Sequence, residues 1–180
     1  MRIKNILDEN VKANMEIDFY VPIRIDYRAN DEKEKELFYY RLLNSTSSFV
    51  EISINSATKK IVSITIVSIN DIVEVDKEVM KKLAFVGELG NPEIDMDIFK
   101  QEHIITDIIN FKVMRHENKI YIICDSTQID KKLAMENLDI LLDTKKNIIG
   151  YIFSGFTEEE WNEINESINS SIGISREHQK

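Results

Sequence analysis

Twice in this chain, an apolar–polar alternation runs into a short polar turn and out again through the same turn residues. Glu51-Ile52-Ser53-Ile54 leads through Thr58-Lys59-Lys60 into residues 61–69, and Asp139-Ile140-Leu141-Leu142 leads through Thr144-Lys145-Lys146 into residues 148–153. A period of two puts Val50, Ile52 and Ile54 on one side of a strand and Glu51, Ser53 and Asn55 on the other. After the turn, Val62, Ile64 and Ile66 alternate with Ser63 and Thr65 in the same way. A β-hairpin with one buried face uses such a pattern, so both segments are expected to be hairpins.

The rest of the chain fills in an α+β class. Residues 1–14 read as a short helical lead-in, and residues 16–26 as a strand with Ile17, Phe19 and Val21 on one face and Pro22 at an edge. Asn30-Asp31-Glu32 opens like a helix with acids in its first turn. A helix to Leu43 is expected, with a helix that gives way to a strand at Leu37-Phe38-Tyr39-Tyr40 as the alternative. Helical spacing recurs at Val79, Met80 and Leu83, and Gly87 to Pro92 punctuate the middle of the chain. Strands are expected at 110–115 and 119–125 around His116-Glu117-Asn118, and at 137–142 and 147–153, together an antiparallel meander. The C-terminal helix is announced by a capping box of Thr157 and Glu160, by Glu158 and Glu159 in the first turn, and by Trp161, Ile164, Ile168 and Ile172 at helical spacing. The fold expected is therefore a mainly antiparallel sheet of hairpins with an amphipathic C-terminal helix packed on it and Trp161 buried as its anchor. Residues 1–180 read as one domain. Recurrence of Glu-Ile-Asp at 16 and 93 and of Thr-Lys-Lys at 58 and 144 raises an internal duplication of 15–88 with 92–175. A chance match in an Ile-, Asn- and Lys-rich chain, folded as a single continuous sheet, is the alternative.

Charge and composition narrow the function classes. Hydrophobic residues make up 43% of the 180, enough to fill a core, while no apolar run approaches the roughly 18–20 residues that a membrane helix needs. The opening residues Met-Arg-Ile-Lys-Asn reach Asp8 without an apolar segment, so no secretory signal is expected and the cytoplasm is the expected compartment. There, the lone Cys124 forms no disulfide within the chain and reads as a small hydrophobe, and the sequons at Asn44 and Asn169 carry no sugar. The net charge of −9 is concentrated: residues 71–110 sum to −6 and residues 136–180 to −5, whereas residues 1–70 sum to zero. Such a chain is repelled by phosphate backbones and anionic lipid, so neither nucleic acid nor membrane is an expected partner, while a basic protein would be steered toward it. Solubility alone is the plain alternative.

No residue pattern points to catalysis or to a cofactor. Asn91, Glu93, Asp95, Asp97 and Glu102 fall at calcium-loop spacing, but Met96 stands where the turn requires glycine and Pro92 stands second, so no metal is expected. Glu102, His103 and Asp107 would share one helical turn as a general-base cluster, or simply form a solvated helix face. His116 has no recognisable partner, and His178 lies in the tail. Ser126 and Ser154 stand in no nucleophile elbow, and five scattered glycines make no phosphate cradle. Lys59-Lys60 and Lys145-Lys146 read as hairpin-tip solubility, and Tyr20, Tyr39 and Tyr40 as core residues, with a contact surface as the alternative.

The stretch from Leu138 to Gly150 (Leu-Asp-Ile-Leu-Leu-Asp-Thr-Lys-Lys-Asn-Ile-Ile-Gly), followed by Phe156-Thr157-Glu158-Glu159-Glu160-Trp161, resembles the small immunity proteins of bacterial polymorphic-toxin and contact-dependent inhibition systems. The resemblance covers mainly residues 137–172. It implies tight binding of one cognate toxin, often a basic nuclease, by an acidic surface, without catalysis or cofactor. The acids expected to face such a partner are Glu88, Glu93, Asp95 and Asp97 in the first negative stretch, and Glu158, Glu159 and Glu163 in the second. A structural subunit that self-associates through strand edges, and an enzyme that gathers His103 or His116 with distant carboxylates, are the readings from other classes.

Overall fold

The computed structural model describes residues 1–9, 11–27, 36–75, 78, 81, 83, 87–124 and 128–177, with side chains through residue 170. The first strands are β1 (Ile3–Leu7), β2 (Asn14–Glu16), β3 (Ile23–Asp26), β4 (Leu37–Leu43), β5 (Phe49–Asn55), β6 (Ile61–Ser68), β7 (Val73–Glu74) and β8 (Glu88–Leu89). There follow β9 (Asn91–Ile94), a 3-10 turn (Met96–Phe99), β10 (Ile104–Ile108), β11 (Phe111–His116), β12 (Lys119–Cys124), β13 (Lys131–Met135), β14 (Leu138–Leu142), β15 (Ile148–Phe153) and the helix α1 (Glu158–Glu177). The class is α+β, as the sequence implies.

The strands divide between two large sheets instead of one continuous one. One has the order β10-β4-β5-β6-β3-β2, the other β7-β11-β12-β15-β14-β13-β8, and β1 pairs with β9 as a separate ribbon. Neighbours are antiparallel except where β10 joins β4, β7 joins β11 and β8 joins β13 in parallel. The second sheet is not a simple meander, because β12 sits beside β15, so the hairpin β14–β15 returns to the pair β11–β12. The order β4-β5-β6-β3-β2 in the first sheet matches β13-β14-β15-β12-β11 in the second, strand for strand.

The two hairpins stand where the alternation put them, as β5–β6 and β14–β15. Each turn opens on an Asx side chain: Asn55 Oδ1 accepts from the Ala57 and Thr58 N–H groups, and Asp143 Oδ1 from those of Lys145 and Asn147. Each closes on a lysine at positive φ, Lys59 at 60° and Lys146 at 63°. The expectation of one buried face is too narrow, since Ser63 and Thr65 of β6 are buried along with its isoleucines. These strands are central in their sheets, and small polar side chains there fit under cover on the second face.

Four expectations are corrected. The lead-in contains strand β1, with β2 beginning at Asn14, instead of a helix. Residues 16–26 are not one strand, because β2 and β3 pair with each other and the chain reverses between them, with Asp18 Oδ1 accepting from the Tyr20 and Val21 N–H groups. Residues 37–43 are strand β4, as in the alternative of a strand from Leu37 and not a helix to Leu43, with Phe38, Tyr39 and Tyr40 as its strand formers; the proposed helix start at 30–32 lies outside the described residues. Residues 104–108 are also a strand, so Glu102, His103 and Asp107 do not share a helical turn. The helix expected near Val79 and Met80 falls largely outside the described residues, although Leu83 is buried.

A single apolar cluster takes in both large sheets, running from Ile52 and Ile64 of the first to Ile140 and Tyr151 of the second, with Ile164 and Ile168 of α1. Polar links cross the same gap: Tyr27 Oη donates to the Glu136 carbonyl at 2.8 Å, and Asn44 Nδ2 to the Phe111 carbonyl at 3.1 Å. A smaller cluster on the other face of the second sheet joins Tyr121, Leu141 and Ile152 to Val75 and Leu83. The capping box forms as read, with Glu160 Oε2 accepting from Thr157 N–H at 2.8 Å and Thr157 Oγ1 accepting from Glu160 N–H at 3.2 Å.

Gly150 stands at a tight point in the second sheet. A Cβ there would stand 2.6 Å from the Ile122 carbonyl oxygen and 3.1 Å from Leu141 Cδ1, in the middle of the β12–β15–β14 ladder. Gly150→Ala is expected to lower stability by about 1–3 kcal/mol in urea denaturation, with an unchanged m value. An unaltered midpoint would show that the ladder yields.

Candidate functional site

Helix α1 bridges the two sheets. Ile164, Ser167 and Ile168 face the core, Ser167 Oγ donates to the Phe19 carbonyl at 2.8 Å in the β2–β3 turn, and Asn165 Oδ1 accepts from Arg115 Nη1 of β11 at 2.7 Å. Asn165 is itself oriented by donating from Nδ2 to the Trp161 carbonyl at 2.7 Å. Arg115 Nε reaches Glu74 Oε1 of β7 at 2.5 Å, which holds the guanidinium plane between strand and helix. The result is an open groove of about 360 Å³, lined by Glu74, Arg115, Glu117, Trp161, Asn165 and Asn169. Trp161 is half-buried, not enclosed as expected. Its ring stacks on Phe156 at 5.8 Å and leaves an edge in the groove.

Glu158, Glu159 and Glu163 project from the exposed side of the same helix and form no ion pair with a described residue. Glu158 and Glu159 lie at the positive end of the helix dipole, whereas Glu163 is a turn further along. The acids of the first stretch differ. Glu88 accepts from Lys131 Nζ at 2.6 Å, and this hydrogen bond holds the Lys131 ammonium above its ordinary pKa. Glu93 accepts from Asn5 Nδ2 at 2.8 Å and faces Lys59 at 3.9 Å. Asp95 pairs with Arg2 at 3.1 Å and caps the 3-10 turn, and Asp97 pairs with Lys100 at 3.3 Å. The two acid sets therefore differ: one is internally compensated around β8, β9 and the 3-10 turn, the other is open on α1.

The histidines stay separate. His103 lies 3.4 Å from Glu36 and packs on the Phe38 ring at 4.6 Å, and His116 lies 3.8 Å from Glu117. Ser126 and His178 lie outside the described residues. Among the described residues, no group of three or more His, Cys, Asp and Glu side chains is placed to hold a metal ion, and no helix is long and apolar enough to cross a membrane. A second hollow of about 440 Å³ is lined by Asn44, Thr46, Asp71, Val73, Asn110 and Lys112. Asn44 is committed to structure there, its Oδ1 accepting from the Thr46 and Ser48 N–H groups.

Sequence reasoning missed Arg115, Glu74 and Asn165. They are separated by 41 and 50 positions, and only the parallel pairing of β7 with β11 and the docking of α1 bring them together. No family model matches the chain, and no curated protein matches its sequence.

A buried set of phenols gives the fold its pH signature. Tyr40 and Tyr151 face the core, not solvent, whereas Tyr20 is 84% exposed. Burial pushes the hydroxyls of Tyr27, Tyr40, Tyr121 and Tyr151 above the ordinary value of 10.0, and the hydrogen bond to Asp107 adds to this for Tyr40. A raised phenol pKa means that the folded chain holds the proton more tightly than the unfolded one. This contribution is thus full below about pH 10 and is lost as pH rises through the folded values. In an alkaline titration followed by ultraviolet absorbance, these four phenols are expected to ionise together with unfolding. Their ionisation near pH 10 with native circular dichroism intact would contradict that burial.

Proposed function

We propose that this protein is a protein-binding module, an immunity protein that neutralises a cognate basic toxin through the face built from α1 and the β7–β11 edge. The observation that carries the reading is the groove of Trp161 and Arg115 beside Glu158, Glu159 and Glu163, which no described residue neutralises. Tryptophan and arginine are the residue types that dominate binding energy at protein interfaces, and an unpaired acidic rim speeds encounter with a positive partner. The Arg115 fork is already held by Glu74 and Asn165, so little side-chain entropy is left to lose on contact. Glu88, Glu93, Asp95 and Asp97, each occupied by a cation of the same chain, contribute to the long-range field and not to the contact.

The reading also treats 15–88 and 92–175 as related units, a proposal supported by their matching strand order and by the like construction of their hairpin turns. On that view, the binding face sits on α1 of the second unit.

The test is affinity capture with tagged protein from the lysate and medium of the producing cells, over salt from about 50 to 500 mM. One basic protein is expected at equal stoichiometry, with capture falling as salt rises. The triple variant Glu158→Gln/Glu159→Gln/Glu163→Gln and the single variant Arg115→Ala should each retain the fold by circular dichroism and reduce capture at least about tenfold. Equal capture by both variants, or no stoichiometric partner at any salt, would overturn the reading.

A further inference from the structure

We propose that β10 is the contact through which two copies of this chain associate, the first sheet of each joining the other edge to edge in an antiparallel β10–β10 pair centred on Thr106. The proposal goes beyond the toxin-binding reading and shares no residue with the α1 groove. Among the described residues, four strands end the two large sheets. β2 has three residues, β7 and β8 have two each, and β10 has five. Short edges offer few open backbone groups, and longer ones are normally blunted by lysine, proline or a bulge. Ile104-Ile105-Thr106-Asp107-Ile108 contains neither residue type, and its pairing with β4 runs without a register shift.

The hydrogen bonds fix which groups are open. Tyr39 N–H donates to the His103 carbonyl at 2.8 Å, and Ile109 N–H to the Leu43 carbonyl at 3.0 Å, so the odd-numbered residues from 103 to 109 bond toward β4. The backbone groups of Ile104, Thr106 and Ile108 therefore point away from the sheet. The side chains of those three are exposed too, Ile104 at 43% and Ile108 at 78%.

Spacing selects the occupant. An antiparallel pair about Thr106 sets Ile104 opposite Ile108 of the second copy, Ile108 opposite Ile104, and Thr106 opposite its own equivalent. Each opposed pair exchanges both backbone bonds, about six in all, and two exposed isoleucine pairs become cross-strand contacts. Such a contact is self-complementary and closes at two copies. The acid in the strand does not oppose it, because Asp107 is turned inward as the acceptor of the Tyr40 hydroxyl. Beyond the isoleucines, Glu102 would meet Asn110, so no pair of like charges is apposed there. The net charge of −9 on each chain works against association at a distance, so the dimer tightens as salt is added, the opposite of capture of a basic partner. One short strand per copy buries less than a standard interface, so the dimer is weak and forms only at high protein concentration.

The experiment is sedimentation velocity of the full chain from about 5 to 500 µM at low and high salt, on the wild type, Thr106→Pro and the double variant Ile104→Lys/Ile108→Lys. Proline removes the outward N–H at the centre of the seam without touching a bond to β4, and the lysines charge its two ends. The wild type is expected to move from one to two chain masses across the series, at lower concentration in high salt, while both variants stay at one chain mass with native circular dichroism. A wild type that stays at one chain mass throughout would leave the edge to a strand of another protein and overturn self-pairing. Dimers that persist in both variants, or growth past two chain masses, would overturn it equally.

Discussion

The ribbon of β1 and β9 is the constraint on which the two sheets depend. Ile3 and Ile94 lie opposite each other in it, at 1% and 0% exposure, and each sends its N–H beyond the ribbon to a hairpin of one large sheet. Ile3 donates to the Lys146 carbonyl at 3.0 Å, and Ile94 to the Lys59 carbonyl at 2.8 Å. Those lysines are the positive-φ residues that close the two turns. A buried backbone donor without a partner costs about 1–3 kcal/mol, so the turn geometry and the ribbon hold each other in place. The shared core behind them can then seal both sheets around one apolar interior.

What could be read from the residues follows from how local each signal is. The hairpins β5–β6, β11–β12 and β14–β15 and the cap of α1 were legible because alternation, turn chemistry and capping act within a few positions. Strand β4 was misjudged because acids at 31 and 32 suggest a helix start, whereas pairing with β5 along seven residues decides the outcome. β10 and β13 carry weak patterns of their own and are strands because β4 and β14 supply partners. The two-sheet division was not legible at all, since it rests on contacts such as Tyr27 with Glu136, 109 positions apart.

The candidate site divides in the same manner. Glu158, Glu159 and Trp161 stood out as part of a capped amphipathic helix, but the groove that gives them a context needs Arg115 and Glu74 from strands of the preceding region. The acids around Glu93 looked equivalent on the page of sequence. In the fold they neutralise Arg2, Lys59 and Lys100, so local charge counts overstate what that region presents to a partner.

The reciprocal reach of β1 and β9 also governs the order in which the chain can mature. The tip of the first hairpin is complete only when Ile94 arrives, and Ile3 finds its acceptor only once Lys146 has been made. At about 5–20 residues added per second, the amino-terminal strand waits on the order of 10 s on the ribosome before its last bond can form. The first hairpin therefore cannot finish before Ile94 is made, whereas the second can close as soon as Lys146 emerges, because Ile3 is already present. The ribbon locks late, and until then β1 stays open to the chaperones that attend nascent chains.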